Sequence, residues 1–88
     1  MRDVFVAGAV RTAIGKLGGT LSSVPVVTLG ATVLKAAVER AGVEADVLDE
    51  VIMGQVIQAG TGPNPARQAV LEAGFPISLP AYTVNKVC

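Results

Sequence analysis

Val51-Ile52-Met53-Gly54-Gln55-Val56-Ile57 decides the fold class of this 88-residue chain. Val51-Ile52-Met53-Gly54 with Val56-Ile57 reads as a strand, since aliphatic and β-branched residues run almost continuously between an acidic connector and a glycine-rich loop. Working back, Glu44 to Glu50 forms that connector, with room for one helical turn. Before it, Val27, Ala31, Leu34, Val38 and Ala41 step by 4, 3, 4 and 3, which places them on one face of an amphipathic helix. Pro25 precedes this helix and Gly42 is placed to end it as a left-handed C-terminal residue. Earlier still, Val4 to Val10 is continuously apolar, the pattern of a strand in a sheet covered on both faces. Strand, helix and strand in that order, with a crossover-length connection, predict a parallel pair in an α/β sheet.

Working forward, Ala59-Gly60-Thr61-Gly62-Pro63 is a loop and Asn64-Pro65 starts a second helix. Asn64 can cap free N–H groups, and Pro65 occupies the first helical position without losing a bond. Ala66, Ala69, Val70 and Ala73 form the buried stripe of this helix, and Gly74 closes it. Arg67 sits near the helix start, where the dipole does not favour a cation, so a specific carboxylate or carbonyl partner is expected for it. Phe75 to Pro80 then leads into a last strand, Ala81 to Val84. Arg11 to Thr20 is a turn-rich loop whose Gly15, Gly18 and Gly19 lack the Gly-Lys-Ser/Thr order of a phosphate loop.

Composition narrows the function classes. Seven basic and seven acidic residues cancel, which leaves no electrostatic footprint for nucleic acid or an anionic membrane. No apolar run approaches the length of a membrane span. Hydrophobic residues make up 51% and charged residues only 16%, an apolar balance that fits a piece buried against more protein. An apparent strand at the N-terminus leaves no room for a signal peptide, and one cysteine cannot form an internal disulfide. A reducing cytoplasm is therefore the expected location. The chain has no histidine, so it supplies no imidazole base and no Cys-His pair. Asp46, Asp49 and Glu50 are close in sequence, but their spacing is better read as a solvated segment than as a metal site.

The single cysteine, Cys88, follows the last strand in Ala81-Tyr82-Thr83-Val84-Asn85-Lys86-Val87-Cys88. Read alone, a lone cysteine is more often a small buried hydrophobe than a nucleophile. Its place after a strand, where a helix would next be expected, strengthens the catalytic reading. Strand-to-helix turns can hold nucleophiles, and a helix N-terminus favours thiolate over thiol.

Three stretches carry a resemblance. Arg11-Thr12-Ala13-Ile14-Gly15, Gly62-Pro63-Asn64-Pro65-Ala66-Arg67-Gln68 and Asn85-Lys86-Val87-Cys88 occur in the order and spacing of the thiolases, and the likeness runs from Met1 to Cys88. It is nearest to the bacterial acetyl-CoA acetyltransferases among them. Pro63 departs from the pattern, since the family commonly has glutamine before the Asn-Pro pair. The resemblance implies that residues 1–88 are the N-terminal, incomplete part of the first domain of a five-layer αβαβα fold. It implies that Cys88 is the acylated nucleophile and that its backbone N–H serves the oxyanion. Acetyl-CoA and acetoacetyl-CoA would be substrates, with no cofactor and no metal. The remaining thiolase polypeptide would be the nearest partner, carrying the base histidine, a second cysteine and most of the coenzyme A pocket, in a homodimer or homotetramer. Alternatives are another condensing enzyme of the superfamily, of ketoacyl synthase or hydroxymethylglutaryl-CoA synthase type, and a non-catalytic thiolase-like binding module. A redox-sensing role for the thiol could accompany catalysis.

Overall fold

The computed structural model describes residues 1–88. Its regular elements are helix α1 (Val26–Ala41), a single 3-10 turn (Ala45–Val47), strand β1 (Val51–Gly54), helix α2 (Pro65–Glu72) and strand β2 (Ala81–Val84). Strands β1 and β2 are parallel, pairing Val51 with Ala81 and Gly54 with Val84 at the two ends of the ladder. Helix α2 makes the crossover, so residues 51–84 are one βαβ unit.

The predicted helices and their ends are present for the reasons the sequence suggested. Gly42 takes φ 72 and ψ 28 after α1. Its N–H bonds Glu39 O, and Val43 N–H bonds Val38 O, the paired pattern that satisfies the last carbonyls of a helix. The same pattern closes α2, with Gly74 N–H on Leu71 O and Phe75 N–H on Val70 O. Phe75 thereby folds back onto the core.

That core is small. Val51, Val70 and Leu79 are buried together, with Leu34, Leu48, Met53, Phe75 and Ala81 packed around them. Residues alternate along both strands. Val51, Met53, Ala81 and Thr83 lie on the side more protected from solvent, while Ile52, Tyr82 and Val84 point away and stay exposed. Only 8 of 88 residues are buried, so one face of the sheet is left uncovered and the double coverage expected from the apolar composition is not realised within this chain.

The N-terminal strand expected at Val4 to Val10 is not formed. A strand exists only through ladder hydrogen bonds, and no backbone bond reaches these residues. The parallel partner of β1 is instead β2. The segment lies along the C-terminal half of α1, held by an Arg40 Nη1 bond to Ala9 O at 2.9 Å. Val4, Phe5 and Val6 remain 82–94% exposed. Val56 and Ile57 also fall outside β1. The ladder ends with Gln55 N–H on Val84 O because β2 itself stops there.

Helices α1 and α2 approach closely at Gly30. A Cβ built there would sit 3.1 Å from Ala69 Cβ and 3.5 Å from Met53 Cε. Gly30→Val is therefore expected to destabilise the fold by about 1–3 kcal/mol through overpacking. A lower denaturant midpoint at unchanged slope would show this.

Candidate active site at Cys88

Strand β2 carries the chain towards Cys88, which lies four residues beyond Val84. The thiol is free and exposed, and the backbone at Cys88 has φ 46, in the left-handed region. Asn85, Lys86 and Val87, the residues between strand and cysteine, are exposed and form no regular element.

The junction of β2 with the start of α2 is more densely bonded. Asn64, at the N-cap of α2, has φ 45 and ψ 75, a conformation that asparagine tolerates better than most non-glycine residues. Its Oδ1 accepts from Arg67 N–H at 3.2 Å, as the capping expectation required. The same oxygen accepts from the Thr83 hydroxyl at 3.0 Å, and Asn64 Nδ2 donates to Ala81 O at 3.0 Å. Thr83 Oγ1 in turn accepts from Ala66 N–H at 3.0 Å. One helix start is thus capped twice, once by its own N-cap residue and once by a side chain of the neighbouring strand.

Arg67 finds the carbonyl partners that its place near a helix start called for. Nη1 donates to Leu79 O and Nη2 to Ile77 O, both at 2.7 Å. The guanidinium clamps the turn before β2 and does not face the cysteine segment. Gln68 acts similarly on the preceding loop, donating from Nε2 to Thr61 O and Pro63 O at 2.8 Å each. Pro63 therefore serves the loop through its carbonyl, an atom that substitution of its side chain leaves in place.

Sequence reading did not single out Thr83. A threonine in a strand is ordinary, and its pairing with Asn64 depends on contact across 19 positions of sequence. Away from this junction, a groove of about 660 Å³ lies between the N-terminal segment and α1, lined in part by Arg11 and Arg40. Its lining holds no cysteine and no carboxylate. No helix is long and apolar enough to cross a membrane.

A parallel βαβ unit whose second strand leads into a lone exposed thiol defines an α/β protein with a strand-end cysteine. Residues 4–88 match the family described as thiolase, N-terminal domain. The chain belongs to the thiolase family. It is 58% identical over 88 residues to the acetyl-CoA acetyltransferase of Cupriavidus necator, covering 100% of this chain and 22% of the relative. Against the acetyl-CoA acetyltransferase of Escherichia coli K12 it is 53% identical, with the same coverages. Against mitochondrial acetyl-CoA acetyltransferase B of Xenopus laevis it is 56% identical, covering 100% of this chain and 21% of that one. The fold superposes on the Acat5 thiolase of Ascaris suum, solved in complex with coenzyme A, with a TM-score of 0.94 and 40% identity. That match covers 99% of this chain and 23% of the other. The architecture is therefore that of the N-terminal part of the thiolase fold, and the chain spans about a fifth of the length of these relatives.

Proposed function

We propose that residues 1–88 belong to an acetyl-CoA C-acetyltransferase in which Cys88 is the acylated nucleophile. The observation that carries this reading is the identity of 50–58% over the whole chain to proteins named acetyl-CoA acetyltransferase. In this reading the chain is the first, incomplete part of the N-terminal domain. The sparse burial and the uncovered face of the sheet support that placement, since such surfaces fit a body of which these residues are one piece.

The chemistry runs in two half-reactions. Cys88 Sγ, as thiolate, attacks the carbonyl carbon of acetyl-CoA, and the electron pair moves onto oxygen. The Cys88 backbone N–H donates to that oxyanion. Collapse expels the thiolate of coenzyme A, which takes up a proton, and leaves an acetyl thioester on Cys88. The acyl group is thereby kept at thioester energy between the steps. A second acetyl-CoA loses an α-proton to a base outside these residues, and the resulting carbanion attacks the acetyl carbon. Acetoacetyl-CoA forms as the Cys88 thiolate leaves. Run backwards, the sequence is thiolytic cleavage. This chain contributes the nucleophile and one oxyanion donor. A histidine and a second cysteine would come from the remaining polypeptide, in a cytoplasmic homodimer or homotetramer, and no cofactor is needed beyond the coenzyme A thioesters themselves.

The test is cleavage of acetoacetyl-CoA by coenzyme A, followed in the full-length polypeptide. Turnover that requires free coenzyme A and proceeds without acyl-carrier protein is expected. Dependence on an acyl carrier would transfer the chain to the ketoacyl synthase type, and absence of any turnover would leave a binding module.

A further inference from the structure

Thr83 is the last side chain before Cys88 that makes a hydrogen bond, and both of its bonds go to the start of α2. We propose that Asn64 and Thr83 are positioning residues for Cys88, acting by locking the strand that carries the cysteine to the N-terminus of helix α2. This rests on the reading of Cys88 as the acylated nucleophile and adds the device that holds it in place.

Two sets of bonds fix β2. The ladder to β1, ending with Gln55 N–H on Val84 O, sets its place within the sheet plane. It constrains tilting of the strand out of that plane less well. A second set ties the strand to α2: Ala66 N–H to Thr83 Oγ1 and Thr83 O–H to Asn64 Oδ1 act on the face that carries the Thr83 side chain, and Asn64 Nδ2 to Ala81 O acts on the edge away from β1. It touches β2 at Thr83 through the side chain and at Ala81 through the main chain, so it resists that tilt. Helix α2 is a firm anchor, because Pro65, Ala66, Ala69 and Val70 are all buried. Asn64 also keeps a left-handed backbone at φ 45, a geometry that its three side-chain bonds help to hold.

The lever is short enough to matter. Five residues from Thr83 to Cys88 span at most about 17 Å, so a tilt of about 5° moves the thiol by roughly 1.5 Å. Displacement of a reacting group by about 1 Å can cost around a hundredfold in rate.

The experiment compares Thr83→Val, Thr83→Ser and Asn64→Gly with the wild type in the full-length polypeptide, measuring kcat and KM for acetoacetyl-CoA thiolysis on fully folded samples. Valine keeps the shape of threonine and removes both bonds. Glycine accepts φ 45 without strain and removes the link together with the cap bond from Arg67 N–H, a loss that is small when glycine replaces asparagine at an N-cap. Positioning predicts that Thr83→Val and Asn64→Gly each lower kcat about ten- to a hundredfold, with KM held within about twofold. Thr83→Ser, which keeps the hydroxyl, should stay within about threefold of wild type. Variants that melt earlier but turn over at the wild-type rate would make the junction purely structural and overturn the proposal. A wild type that cleaves acetoacetyl-CoA while its variants do not differ removes the positioning role alone. A wild type that forms no acyl-cysteine removes the reading of Cys88, and this proposal with it.

Discussion

Replacing Cys88 by alanine lowers acetyl transfer by about 10⁴-fold or more and leaves stability within about 0.5 kcal/mol of wild type. Both halves of this expectation follow from the same observation. Within residues 1–88 the thiol is free, exposed and outside every regular element, so none of their packing or hydrogen bonds is lost with it. The covalent route, by contrast, has no second candidate in this chain, which holds one cysteine and no histidine. Serine at this position should fare almost as badly, because a hydroxyl is far less ionised than a thiol near neutral pH and gives a poorer leaving group in the second half-reaction. Rates of acetoacetyl-CoA cleavage and thermal melts, taken on the same samples, check both parts. A Cys88→Ala protein that retained a tenth or more of its activity, against the loss expected for a covalent nucleophile, would place the acyl group elsewhere.

A large loss of stability is also expected at Arg67. Its two 2.7 Å bonds to Leu79 O and Ile77 O tie helix α2 to the turn from which β2 starts. Bonds from a charged donor contribute about 1.5–3 kcal/mol each when sheltered, and less where water competes. Leu79 is buried while Ile77 is exposed, so the bond to Leu79 O dominates. Arg67→Met, which preserves the aliphatic stem, is expected to destabilise the protein by about 2 kcal/mol. Lysine recovers less than half of this, since its point charge cannot reach two diverging carbonyls as a planar fork does. Denaturant midpoints read the effect, with an unchanged slope showing that the unfolded state is the same. A loss below about 0.5 kcal/mol would reduce the clamp to a solvated surface contact.

The legible parts of the fold were those set locally. Gly42 and Gly74 end their helices because glycine accepts the positive φ that closes each carbonyl pattern. Asn64-Pro65 starts α2 because cap and first-turn chemistry need only neighbouring residues. Strand β2 runs from Ala81 to Val84, as expected of a β-prone run bounded by Pro80. Val4 to Val10 departs from the expected strand for the complementary reason. Its hydrophobicity is real, but a strand also needs ladder bonds to a neighbour, and this segment makes none and lies beside α1 instead.

The site divides along the same line. Cys88 stands out as a candidate because a lone thiol after a strand is a chemical signal, which the Asn-Pro-Ala-Arg-Gln and Asn-Lys-Val-Cys stretches strengthen through resemblance. The partner of Arg67 was anticipated in kind, since a cation at a helix start calls for a specific acceptor, but the two carbonyls that answer it lie 10 and 12 residues away. Thr83 could not be found this way. Its role exists only once helix α2 has crossed over the sheet and brought Ala66 N–H and Asn64 Oδ1 to the strand.

The central claim is that Cys88 carries the acyl group between the two half-reactions. Mass spectrometry of the full-length polypeptide after incubation with acetyl-CoA, with peptide mapping, tests it most directly. The account predicts a gain of one acetyl group, located on Cys88 and lost when coenzyme A is added. An unchanged mass, or an acetyl group on any other residue, would contradict it.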